Sequence, residues 1–573
     1  MIVALFLLAL TSLVDASPAF AHGLGQGYDL PIPLWLFLYG AAAAVLVSFV
    51  PVSLLADKGR VGKEGPYGYP RFDLLKFPTL RAALTNRPLL LGLRLLSVAL
   101  FLLVILSGLF GQQNPSSNFA PTFVWITWWV GFSFFTAFVG NLWPLVNPWK
   151  ILFEWAEAFV RRLDPKSSLE LGISYPAVLG VWPAVLLYTA FVWLEVTFEG
   201  SAEPKYLAFF ALVYACITWS GMVVFGKGAW LKGGEAFSVF FGLLARFAPT
   251  EVRVKRVELC EACGICESVE GECVNCYECL AKVPPEDREL NLRPPAVGLG
   301  RPDQVPEGGA VFVVLVLAGV TYDGLVVTPL WLRLQDLVPV SETLGLVAVP
   351  LLFLAVYLVF VKLSQLLGRG TGRLGRFAAA YVYSLVPIAI AYQVAHYFTV
   401  FLAQGQRIVH LVSDPFGWGW NLLGTAGYGL NATIVQADVV WYSQVALIVA
   451  GHIIAVYLAH LIALRLLQDP RRVLKSQLPM LALMVLYTVF SLWILSQPVV
   501  EETKVAQAPP EEVITTPPED VIPPPPESSR SLPKADLPTS VLPVREPPMP
   551  EPPMPEPASP DPPAAEPSVS AAP

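Results

Sequence analysis

Six of the seven cysteines fall within LCEACGICESVEGECVNCYECL. Cys260, Cys263 and Cys266 form one Cys-x-x-Cys-x-x-Cys half, and Cys273, Cys276 and Cys279 form a second, six residues further on. Thiolates two residues apart in a tight turn can point at one ion, and two such pairs can close a tetrahedral zinc site or hold an iron–sulfur cluster. Cys260-Glu-Ala-Cys263-Gly has the knuckle form of a zinc ribbon, which favours zinc. Iron–sulfur stands second, because the Cys-Pro ending of bacterial ferredoxin motifs is missing. No Cys-x-x-Cys-His occurs, so covalent c-type haem is not indicated. Cys216, alone in an apolar segment, reads as a packed core residue.

Histidine is the second group able to do chemistry, and there are five: His22, His396, His410, His452 and His460. The last four lie in or beside apolar segments, where ionisable groups are costly and tend to mark function. Counting inward from the segment ends places His396 and His452 at similar depth, so a transition metal or a b-type haem could be held between them. His396 and His410 have a spacing suited to two stacked haems, but His452 and His460, eight apart, do not match it. Acidic residues gather toward the same end: Asp29, Glu195, Glu199 and Asp323. Imidazole with carboxylate suits zinc, copper or iron, and Asp323 is the acidic candidate ligand. Equally, an imidazole inside a bundle can simply satisfy a neighbouring carbonyl or tyrosine.

These residues must be positioned by a membrane protein. The chain has 573 residues, 55% of them hydrophobic and only 14% charged, with a mean hydropathy of +0.58. A soluble chain of this size needs more charge to cover its surface. About ten runs reach the roughly 17 to 25 apolar residues a bilayer requires, near 33–56, 88–110, 122–140, 174–196, 205–226, 309–331, 343–361, 377–404, 441–464 and 478–496. The expected fold is an all-α polytopic bundle with a small cytoplasmic Cys-rich module. Lys and Arg alternate between rich and poor connections, with Lys58 to Arg87, Lys150 to Lys166, Lys227 to Arg256, Lys362 to Arg376 and Arg465 to Lys475 on the rich side. By the positive-inside rule both termini lie outside and the cysteines lie in the cytoplasm. The bilayer is thus a partner, membrane or periplasmic subunits could join it, and no basic stripe suggests nucleic acid.

The domain layout reads as a signal peptide at 1–21, five spans within 22–226, the cytoplasmic loop 227–308, five more spans within 309–498 and a tail at 499–573. Ala19-Phe20-Ala21 is a small-x-small cleavage pattern, although no Lys or Arg precedes the apolar run. Cleavage there leaves His22 at the N-terminus, with an amine and an imidazole on one residue able to chelate a metal. The residues after Gln497 hold 24 of the 54 prolines and cannot bury a core, so they read as extended, disordered polyproline.

The phrases HGLGQGYDLPIPLWLFLYGA, WWVGFSFFTAFVGNLWPLVNPWK, LNLRPPAVGL, TYDGLVVTPLW, SLVPIAIAYQVAHYF, DPFGWGWNLLGTA and SQLPMLALMVLYTVFSLW together resemble a family of bacterial polytopic membrane proteins often labelled fenitrothion hydrolase. The resemblance covers most of residues 22–498. It implies a metal-dependent membrane hydrolase acting on organophosphorus esters, with His22, His396, His452 and Asp323 as candidates to hold the metal or activate water. Two other functions fit the residues themselves: a membrane redox subunit carrying haem, copper or iron–sulfur, and a metal transporter or assembly factor.

Overall fold

The computed structural model describes residues 33–55, 69–256, 258–260, 267–269, 272–274, 283–300, 305–337, 341–431, 434–467 and 469–497. The signal segment 1–21, His22, Cys263, Cys266, Cys276, Cys279, the side chain of Cys273 and the tail 499–573 lie outside the described residues.

Helices dominate because a bilayer offers backbone groups no partner outside the segment itself. In chain order they are α1 (Leu34–Leu55), α2 (Arg87–Phe110), α3 (residues 119–138), α4 (Pro148–Leu163), α5 (Trp182–Val196), α6 (Pro204–Phe225), α7 (Ala236–Ala245), α8 (Gly309–Val326), α9 (Glu342–Leu367), α10 (Leu374–Gln404), α11 (Ala437–Leu466) and α12 (Pro470–Ser496). Among the described residues, nine helices are long and apolar enough to cross a membrane. The run expected near 122–140 is α3, a continuous helix whose middle, Thr122–Phe132, is wound with π turns. Sequence-local caps set several starts: Asn86 accepts from Leu89 N, Asn147 from Lys150 N, Ser341 from Leu344 N and Asp469 from Arg471 N. Pro183 occupies the first turn of α5, where the missing N–H costs nothing, whereas Pro387 follows the 3-10 turn Tyr383–Leu385 that interrupts α10 and opens the regular helix Val386–Gln404 within it.

Burial ranks the helices. The apolar window of α8 is 72% buried and that of α2 only 17%, so α8 is central and α2 peripheral, its outer side chains suited to lipid. Cys216, expected in the core, is exposed on α6. A span apolar on every face does not reveal from composition which face meets lipid. α10 and α11 approach closely at Gly451, where a Cβ would lie 2.5 Å from Ala391 Cβ and 2.8 Å from Pro387 O.

The charge-rich loops build a five-stranded antiparallel sheet: β1 (Phe72–Asp73), β2 (Thr250–Val254), β3 (Glu267–Val269), β4 (Glu272–Val274) and β5 (Arg288–Leu292), in the order β1-β5-β2-β4-β3. Phe72 pairs with Leu292, so the loop after α1 and the loop after α6 lie on one side of the bundle. That requires an even number of crossings between them, and with α2, α5 and α6 it makes α3 the fourth. The β3–β4 hairpin follows the first cysteine half in the chain and carries Cys273, the first residue of the second half, on β4 opposite Ser268, and Cys260 is buried after β2.

A buried charge network fixes this sheet to the bundle. The Arg293 guanidinium donates to Glu251, both side chains being essentially inaccessible. It also reaches the carbonyls of Ala248 at 3.2 Å and Ala245 at 3.1 Å at the end of α7. Glu251 further meets Arg71 Nε at 3.1 Å and accepts from Tyr69 OH at 2.5 Å. At the other end of α7, Glu235 caps Phe237 N and Ser238 N, so both ends of the helix carry the charge its dipole favours.

Candidate functional site

Three helices and the π segment converge on one polar cluster inside an otherwise apolar bundle. α8 supplies Asp323, α10 supplies His396 and Tyr397, α5 supplies Glu195 near its last residue, and α3 supplies Trp129. His396 Nε2 lies 2.8 Å from Asp323 Oδ2. The Tyr397 hydroxyl sits 2.7 Å from the same Asp323 oxygen and 2.8 Å from Glu195 Oε1, and Trp129 Nε1 donates to Glu195 Oε1 at 2.7 Å.

The hydrogen count of this cluster is informative. A phenol carries one hydrogen, so it can donate to only one of the two carboxyl groups it touches. For both contacts to be hydrogen bonds, a further hydrogen must sit on this set of three oxygens. With Nε2–H donating to Asp323, the lone pair of His396 lies on Nδ1. The cluster is therefore an imidazole–carboxylate pair extended through a phenol to a second carboxyl.

As a cation site its donor types fit and its spacing is that of a hydrogen-bonded set. One imidazole nitrogen and two carboxyl groups are a common donor set for first-row divalent metals. Among the described residues, however, no three His, Cys, Asp or Glu side chains are grouped as ligands of one ion.

His452 does not join His396. Gln444 Nε2 donates to Ala395 O at 2.9 Å, and Gly451 packs on Ala391, so the antiparallel α10 and α11 bring position 445 level with His396. His452 lies seven residues further in, roughly 10 Å along the axis. The expectation of similar depth is corrected because α11 begins at Ala437, four residues earlier than the apolar run suggests. His452 is fully buried, its Nδ1 bonded to Ile448 O at 2.8 Å and its ring 5.8 Å from that of Tyr487. Tyr487 in turn hydrogen bonds Thr321, two residues before Asp323. His460 is also buried, with Nδ1 2.7 Å from Gln477 Oε1. In both rings the remaining Nε2 has no hydrogen-bond partner among the described residues. His410 lies outside the cluster on a short helix, Arg407–Leu411.

Of the candidates read from sequence, the structure joins His396 and Asp323 directly and Glu195 through Tyr397. Tyr397 and Trp129 complete the cluster, and Trp129 is 2% exposed and packs on Phe240 and Phe191 with ring centroids 5.0 and 4.7 Å away. The start of α1 lies by the same end of the bundle, its Phe37 ring 5.3 Å from Trp441 near the start of α11. The chain matches no family model, no curated protein and no solved structure.

Proposed function

We propose that this is a bacterial inner-membrane metalloprotein whose working centre is the Glu195–Tyr397–Asp323–His396 cluster, facing the outer side, and that it performs metal-assisted hydrolysis of an apolar phosphorus ester. The observation that carries the reading is the convergence of imidazole, phenol and two carboxyl groups from three helices. The alternation of basic loops supports the orientation, and the resemblance to fenitrothion hydrolase-labelled proteins supports the substrate class.

A divalent cation in this setting would polarise the phosphoryl group and lower the pKa of a water. His396 and Asp323 would be its donors, with Glu195 reached through Tyr397, and a cation would have to displace the hydrogens that now link them. Tyr397, already placed between the carboxyl groups, would then donate to an oxygen of the bound ester, and the apolar helices would exclude bulk water. The test is nitrophenolate release from a p-nitrophenyl phosphotriester by the zinc-loaded protein. Metal-dependent turnover in the wild type that is lost in His396→Ala is expected; no metal-dependent turnover in the wild type would overturn the reading.

A second reading is a membrane electron-transfer subunit. It is favoured by the two Cys-x-x-Cys-x-x-Cys triplets in the sequence, which the basic-loop alternation puts on the cytoplasmic side, where reducing conditions would keep thiolates free for a metal or cluster. A visible charge-transfer absorption that bleaches on reduction would select it over zinc.

A further inference from the structure

The helix α4 is too short to cross a bilayer: its 16 residues rise about 24 Å, against a hydrocarbon core of about 30 Å. It follows α3 and precedes α5, both of which cross, so it begins and ends on the sheet-bearing side.

Its sequence, PWKILFEWAEAFVRRL, divides into two faces. At about 100° per residue, Leu152, Trp155, Ala156, Phe159 and Leu163 share an arc of about 100°, and Lys150, Glu154, Glu157 and Arg161 share an arc of about 60° on the opposite side. A helix on the surface of a soluble protein buries the first arc and exposes the second. Here the order is largely reversed. The side chains of Lys150, Glu154 and Glu157 are 4%, 18% and 13% accessible, whereas Trp155, Phe159 and Leu163 are 37%, 61% and 73% exposed. Glu154 reaches Arg94 of α2 at 2.5 Å and Lys227, just after α6, at 3.0 Å, so its charge is met within the protein.

The contacts with α2 also fix the depth at which α4 begins. Arg94, the partner of Glu154, and Ser97, whose hydroxyl donates to Val146 O, stand seven and ten residues inside the start of α2, roughly 10–15 Å along its axis. At that level α2, the least buried of the nine described crossing helices, exposes Leu91, Leu95 and Leu96. The first half of α4 is therefore level with a part of the bundle whose outer surface is apolar, and its own outer arc is apolar too.

We propose that α4 is an interfacial helix, with the Leu152–Trp155–Phe159–Leu163 face seated in the lipid leaflet on the sheet-bearing side, at the boundary between headgroups and acyl chains. Tryptophan, phenylalanine and leucine are the residues that in-plane helices insert there. Continuity in level with the exposed leucines of α2 favours lipid over a second copy of the chain as the occupant. Because α4 connects α3, which carries Trp129, to α5, which carries Glu195, its seating anchors the sheet-side ends of both helices.

The test uses the full-length protein, labelled with fluorotryptophan and reconstituted in phosphatidylcholine nanodiscs. The Trp155 fluorine resonance is identified as the one missing from Trp155→Phe. Spectra are recorded with a phosphatidylcholine carrying a nitroxide high on its acyl chain, and separately with a water-soluble gadolinium chelate. The expected result is loss of the Trp155 signal to the nitroxide and its retention with the chelate. In Phe159→Asp, which puts a charge on the exposed arc, the signal should be lost to the chelate instead. Loss to the chelate in the wild type would put the arc in water, and survival against both reagents would put it against protein; either overturns the proposal. Persistence of the wild-type pattern in Phe159→Asp would also overturn it, since the arc would then not be what seats the helix.

Discussion

On the proposed reading of the membrane cluster as a metal centre, Asp323→Ala is expected to weaken metal binding there by more than about 100-fold, since even outer-shell partners of a metal site are worth 10- to 100-fold. Asp323 is the hub of the cluster: one of its oxygens meets both His396 Nε2 and the Tyr397 hydroxyl. Alanine would remove a donor and release the imidazole from the orientation that the carboxylate imposes. Tyr397→Phe keeps the ring and both carboxyl groups, so its effect should be smaller, about tenfold. Cobalt(II) titration of the purified protein measures both. Thiolate coordination at the cysteine triplets gives intense charge-transfer bands, while a nitrogen–oxygen site gives only weak ligand-field bands. Only the second class should respond to Asp323→Ala. An unchanged cobalt affinity in that class would remove the carboxylate from the site.

Arg293→Met is expected to destabilise the attachment of the sheet by about 3–5 kcal/mol, the usual cost of stranding one member of a buried ion pair. The guanidinium is 1% exposed and its partner Glu251 is fully buried, so water cannot take the place of the lost donor. The substitution also strands the α7 carbonyls that Arg293 caps. Arg253→Ala is the control. Arg253 lies 3.6 Å from Glu289 with 22% of its side chain exposed, and its loss should cost within about 1 kcal/mol. Hydrogen exchange of β2 and β5 reads the difference. Fast exchange in Arg293→Met with near-native exchange in Arg253→Ala is expected, whereas equal protection in both would mean that Arg71 alone holds Glu251.

Much of the bundle was legible because a span must be apolar over its whole length, and little else in a sequence is. Glu195 and Asp323 were legible for the same reason, as carboxyl groups in apolar surroundings. Tyr397 and Trp129 were not: an aromatic in an apolar span looks the same whether it meets lipid, core or a carboxyl group. The depth of His452 was misread because Asp438 and the residues around it look like loop, yet they form the first turn of α11. A polar first turn of a helix and a polar loop have the same composition. The sheet and the placement of α4 were illegible for a different reason. Phe72 pairs with Leu292, and Glu154 meets Arg94 and Lys227, positions that only the packing of separate spans brings together.

If the Glu195–Tyr397–Asp323–His396 cluster is the metal centre proposed here, a metal ion entering it must displace the hydrogens that link its side chains, and those hydrogens can be counted. Zinc is added to the purified, metal-free protein in weakly buffered solution, with uptake and proton release recorded for the wild type and for His396→Ala with Asp323→Ala. The wild type is expected to take up one more zinc than the double variant and to release protons with it. Equal uptake and equal proton release from the two proteins would contradict it, leaving all the metal at the cysteines and the membrane cluster as a purely structural hydrogen-bonded set.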